Sequence, residues 1–164
     1  MSSIHSMIDC MGFFRVRTLA TLEKIEQEKD PQKVLTFRPG PGRAHIGWQL
    51  THIAITEELF ATERLAPPKT PAWPELVARF KVGTQADENP PTCAEIRRLL
   101  NESREHLLQT LASFKDTDLG TIPEPLKERK LTVLDVLHIL PWHEAHHQGQ
   151  SHITFNLYKA AHPG

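Results

Sequence analysis

The sequence predicts an all-α fold, a four-helix bundle that forms a single domain over residues 1–164. Four segments carry apolar residues at three- and four-residue spacing, which is typical of amphipathic helices. Two of these segments begin with a threonine followed three residues later by an acidic residue, a pattern that caps helices. No segment shows the alternation of β-strands, and the length suits one ordinary domain.

The first two helices are predicted on either side of a turn-forming linker. Apolar spacing predicts a helix over residues 4–25, which Asp30-Pro31 stops. The linker is Arg38-Pro39-Gly40-Pro41-Gly42. A second helix follows over residues 46–65, and Pro67-Pro68 ends it.

A long connection separates these helices from the last two. Residues 66–91 hold six prolines, which predicts a surface crossover with room for a short helix from Pro74 to about Gly83. Thr92 and Glu95 predict the start of the third helix, and Thr132 and Asp135 that of the fourth. The fourth helix has a predicted apolar side of Leu134, Leu137, Ile139, Leu140, Ile153, Phe155 and Leu157. Pro141 lies inside it and predicts a kink.

Composition excludes several classes of function. Lys and Arg number 19 against 20 Asp and Glu, so no excess of positive charge favours a nucleic-acid partner. Cys10 and Cys93 form no C-x-x-C pair, which argues against a disulfide framework and fits a reducing cytoplasm. No apolar run reaches the ~18 residues that cross a bilayer. We therefore expect a soluble, unprocessed cytoplasmic protein with no membrane partner.

Ten histidines are the unusual feature of the composition, and five of them fall between positions 138 and 152. His143 and His147 project from one helix face within about 40° of each other, the spacing by which two imidazoles share a metal ion. Residues on the same face are mostly apolar, so the pair is expected to look into the bundle. Because a buried imidazole needs partners for its ring nitrogens, two on one buried face indicate a metal ion, although the same spacing also arises by chance in a histidine-rich helix.

Residues 143–147 also match the H-E-x-x-H pattern of zinc metalloproteases, in which the glutamate is a general base. No acidic residue follows Glu144, and Gln150 and Ile153 replace the residues of the metzincin extension, so we reject this interpretation. Glu144 lies about 100° from His143 on the helix and receives no catalytic role. No catalytic residue is assigned.

A third ligand must then lie upstream, and His52 is the best candidate because its helix face is apolar enough to be buried. The alternative is a buried histidine bonded to a backbone carbonyl. His146 could replace one member of the ligand set. His45 and Trp48 on the face of His52, and Gln150 one turn beyond His147, are candidates for groups that support the ligands or line the entrance.

Two motifs resemble the DinB-like (YfiT-like) superfamily of metal-dependent enzymes. They are Gly47-Trp48-Gln49-Leu50-Thr51-His52-Ile53 and, about ninety residues later, His143-Glu144-Ala145-His146-His147-Gln148-Gly149-Gln150. The resemblance implies an up-down-down-up bundle with long crossovers, usually a homodimer, in which His52, His143 and His147 bind zinc or nickel. Better studied relatives are thiol-dependent transferases and maleylpyruvate isomerases that use mycothiol, bacillithiol or glutathione.

Three hypotheses about function follow. The leading one is a metal-dependent S-transferase or isomerase acting on a small electrophile with a low-molecular-weight thiol. The second is a non-catalytic, stress-related protein in which the metal only ties helices together. The third is a hydrolase that uses a metal-bound hydroxide. The sequence identifies neither the metal nor the substrate.

Overall fold

The protein is described by a computed structural model that covers residues 3–65 and 68–163. The regular structure of these residues is helical, and they contain no strand. A π-helical turn, Phe60–Arg64, extends α3, and 3₁₀ turns lie at Asp116–Asp118 and Glu124–Leu126. Within these residues no helix combines the length and the apolar character needed to cross a bilayer. The α-helices are α1 (Ser3–Glu26), α2 (Pro31–Thr36), α3 (Ile46–Leu59), α4 (Pro74–Phe80), α5 (Cys93–Leu111) and α6 (Val133–Ala161).

The four long helices form an up-down-down-up bundle. Side-chain contacts advance in the same direction along α1 and α6 and along α3 and α5, so each of these pairs is parallel. Contacts between α3 and α6 advance in opposite directions, so these two helices are antiparallel. The contacts are Arg15–Glu144 and Thr21–Gln148 for α1 with α6, Glu57–Arg104 and Ala61–Thr110 for α3 with α5, and His52–His143 and Gln49–His147 for α3 with α6.

Both predicted capping boxes are present and set where the last two long helices begin. The backbone amide of Thr92 donates to the Glu95 carboxylate at 2.8 Å, and that of Thr132 donates to the Asp135 carboxylate at 2.8 Å. Each threonine hydroxyl accepts from the amide three residues on. These bonds satisfy amides that the first helical turn leaves without partners.

Two predicted boundaries differ from the structure. The first helix ends at Glu26, before Asp30-Pro31. This pair instead starts α2, because the Asp30 carboxylate accepts from the Lys33 amide at 3.1 Å and proline suits a first helical position. The predicted second helix continues past Leu59 only as the π-helical turn. Pro67, predicted to end it, lies outside the described residues.

The apolar side predicted for α6 is wrong at three positions. Leu134, Ile153 and Leu157 are 37%, 62% and 46% exposed. Ile153 lies about 120° around the helix from His147. The inner face there carries the small buried side chains of Ser151 and Thr154 instead. The spacing of apolar residues therefore predicted the wrong buried face for this part of α6.

A buried ion network joins all four long helices. The Arg15 guanidinium from α1 donates to Glu144 of α6 at 2.7 Å and to Glu57 of α3 at 2.8 Å. Arg104 of α5 contacts the same two carboxylates, each at 2.6 Å. Burial alone would disfavour the charged forms of Arg15 and Glu57. The oppositely charged partners outweigh this effect, so the pKa of Arg15 is raised and the pKa of Glu57 is lowered.

We expect Arg15→Met to lower the free energy of unfolding by about 3–5 kcal/mol, because it leaves buried carboxylates short of a partner. Arg97→Met is the matched control, since it removes a partly exposed pair with Glu26 and should cost at most about 1 kcal/mol. Urea unfolding followed by circular dichroism measures both. Equal losses in the two variants would contradict a stabilising role for the buried network.

Candidate metal centre

Three imidazoles meet between α3 and α6. His52 comes from α3, and His143 and His147 come from successive turns of α6. One ring nitrogen of each can be chosen so that all three lie within 4.8 Å of one another, and Nε2 of His52 is 3.1 Å from Nε2 of His143. The antiparallel packing of α3 against α6 brings these residues together.

Fixed hydrogen bonds orient two of the three rings. Nδ1 of His52 lies 2.6 Å from the carbonyl oxygen of Phe80, at the end of α4. Nδ1 of His147 contacts Oε1 of Gln49. Because both partners are acceptors, each Nδ1 carries the proton and each Nε2 keeps a lone pair, which for His52 lies close to Nε2 of His143. Histidine ligands of metal ions are typically held in this way.

The cluster favours neutral imidazoles. Burial, followed by the neighbouring His52, lowers the pKa of His143 to about 3. Burial, followed by His143 and His52, lowers the pKa of His147 to about 2. Burial also lowers the pKa of His52. All three rings are therefore electrically neutral near neutral pH, with one ring nitrogen free of a proton, the form in which histidine binds metal ions.

A pocket of about 370 Å³ opens onto the three rings, so a small molecule can reach them. Trp48 stacks on His52 with ring centroids 4.5 Å apart. The hydroxyl of Thr56 lies 3.5 Å from Nε2 of His143. Apolar side chains complete the wall, namely Leu59, Phe60, Val82, Leu131, Ile139 and Trp142.

Of the three supporting residues predicted from the sequence, only Trp48 contacts the histidine cluster. Trp48 packs directly on the cluster. His45 caps α3: its Nδ1 accepts from the Trp48 amide at 2.9 Å, and its Nε2 donates to the Asp87 carbonyl at 2.7 Å. Nε2 of Gln150 lies 2.6 Å from Nε2 of His146, an exposed residue, so this side chain is engaged with His146 and not with His147.

Glu144 belongs to the buried ion network. Its two carboxylate oxygens are bonded to Arg15, Arg104 and the Thr18 hydroxyl. A carboxylate paired in this way, only 1% exposed, has no free oxygen with which to accept a proton from a reacting group. The glutamate of the H-E-x-x-H pattern therefore holds helices together.

Sequence reasoning missed two of the groups that orient the rings. Gln49 lies three residues before His52 and so shares its helix face, a spacing that could have identified it. The Phe80 carbonyl could not have been found, because it is a backbone group on the crossover, whose packing against α3 no local pattern predicts.

The comparisons with known proteins identify the family. The sequence model of the DinB superfamily matches residues 13–151, so the chain belongs to this superfamily. The match includes both histidine motifs. No curated protein and no solved structure matches the chain significantly.

We expect His143 and His147 of the metal-free protein to stay neutral between pH 7.5 and pH 5, because burial and the other rings oppose protonation. In the unfolded chain they should titrate near about 6.5. Below about pH 6.5 the unfolded state then binds more protons than the folded state. The free energy of unfolding therefore falls as pH drops from about 6.5 towards the folded pKa values. Imidazole NMR shifts in water and in urea measure both titrations, and coincident curves would contradict the expectation.

Proposed function

We propose that this member of the DinB superfamily binds one divalent transition metal ion through His52, His143 and His147, and uses it to catalyse a thiol-dependent transfer or isomerisation on a small electrophile. The observation that carries the proposal is the convergence of three neutral imidazoles in the lining of one pocket. The DinB match supports the same ligand set.

The donor set fits a zinc or nickel ion. Imidazole nitrogen suits both metals, and three protein ligands leave a position for another molecule. The three histidines line a pocket, so another molecule can reach them, which favours a catalytic role over a purely structural one. When bound, the ion would supply a Lewis acid that favours the deprotonated form of a thiol.

The chain's own residues prepare the site. The Phe80 carbonyl and the Gln49 amide fix the two imidazoles that they accept from. Trp48 covers one face of His52 and excludes water from it. The apolar wall formed with Trp142 gives a small electrophile a surface to bind against. The homodimer, the cytoplasmic location and the absence of a nucleic-acid partner stay predictions.

We expect the protein, purified without a metal-affinity tag, to contain one zinc or nickel ion per chain. His52→Ala should lose most of this metal because it removes one of three ligands. His138→Ala, which removes an exposed histidine of the same helix as His143, should retain it. Elemental analysis and zinc titration measure both. A folded native protein that takes up no metal, or equal losses in the two variants, would refute the metal site.

We expect the metal-loaded protein to catalyse transfer of a low-molecular-weight thiol to an electrophile, with rates that His147→Ala abolishes. A panel of glutathione, mycothiol and bacillithiol against small electrophiles, followed by thiol consumption, tests this. Turnover that needs the metal but no thiol would instead indicate a hydrolase. A metal that raises the melting temperature without any turnover would indicate a structural ion.

A further inference from the structure

Two arginines line the same pocket as the three histidines. Arg64 lies in the π-helical turn that follows α3, and Arg129 lies in the turn that follows Glu124–Leu126. They come from distant parts of the sequence and meet the histidines of α3 and α6 in one pocket. The turn Phe60–Arg64 is a wide helical turn, a form often found at functional sites.

Neither guanidinium is paired with a carboxylate of the described residues. Within residues 3–65 and 68–163, neither makes an ion pair or a hydrogen bond with another residue. Glu63, next to Arg64, lines a different surface depression. The described residues that line the histidine pocket include no aspartate or glutamate, so the charged side chains of its lining are positive, and the charge of Glu63 outside it only partly offsets the effects that lower the pKa of Arg64.

Arg64 is half-buried, with its guanidinium 4.6 Å above the Phe60 ring. Burial, followed by the charge of Arg129, lowers the pKa of this group. A partly desolvated cation beside a second one is stabilised when a ligand supplies negative charge. Arginine presents a planar fork of donors that matches a carboxylate in two-point contact.

We infer that Arg64 and Arg129 form a subsite for the carboxylate of a small, partly apolar substrate whose body lies against the pocket wall beside the histidines. The role of this subsite in binding a substrate rests on the proposed function. Binding of a carboxylate to the two arginines can be tested without the metal. The pocket volume of about 370 Å³ limits the ligand to a small molecule.

Benzoate and its neutral counterpart benzamide are the probes, titrated into zinc-free protein and followed by the Trp142 indole NMR signal. We expect benzoate to bind at least about tenfold more tightly than benzamide, a difference of about 1.4 kcal/mol. Arg64→Met and Arg129→Met should each remove most of this preference and leave benzamide binding within about twofold.

Arg17→Met is the matched control, because Arg17 also lies over a phenylalanine ring, Phe13, but outside the pocket. It should leave benzoate binding unchanged. Zinc titration and urea unfolding of all variants show whether the fold and histidines are intact, and exposed Arg129 provides a variant that should fold even if Arg64→Met does not.

Equal binding of benzoate and benzamide to the native protein would overturn the inference. So would benzoate binding that requires zinc and survives both pocket variants, since the carboxylate would then bind the metal alone. If the native protein takes up no zinc but keeps the arginine-dependent preference, the proposed function fails while the carboxylate subsite stands.

Discussion

The buried network of Arg15, Glu57, Arg104 and Glu144 is the interaction on which the site depends. Glu57 follows His52 by five residues on α3, and Glu144 directly follows His143 on α6. Both carboxylates bind the same two arginines, from α1 and α5. A helix is stiff along its axis, so joining Glu57 to Glu144 also fixes the level at which His52 faces His143. A slip of one turn, about 5.4 Å, would separate both sets of contacts.

Bringing imidazoles together in the bundle is possible because they remain neutral. Protonating one ring would place a cation beside other rings in a partly desolvated space, and the lowered pKa values of His143 and His147 express that penalty. Acceptors outside the cluster bind the Nδ1 protons of His52 and His147. The Nε2 atoms of these two rings are thereby left without protons, while Arg64 and Arg129 supply positive charge to the same pocket.

Local patterns predicted much of the fold, and long-range contacts account for what they missed. Thr92 and Thr132 marked helix starts because a capping box is complete within four residues. The helix order came from the family motifs, since amphipathic spacing carries no information on which helices are neighbours. Arg15 could not have been distinguished from an exposed charge, because its partners Glu57 and Glu144 are 42 and 129 residues away. Apolar spacing failed in α6 where small polar side chains fill the inner face.

The H-E-x-x-H pattern shows how little a motif determines without its surroundings. On any helix the two histidines share a face and the glutamate points about 100° away from the first of them. In a metalloprotease that direction must open onto a substrate cleft if the glutamate is to act as a base. Here it leads into the centre of the bundle, where two arginines and the Thr18 hydroxyl occupy the Glu144 oxygens. In this protein the glutamate of the H-E-x-x-H pattern is therefore a structural carboxylate that helps to position the histidine cluster. A general base at this site would have to be a group other than Glu144.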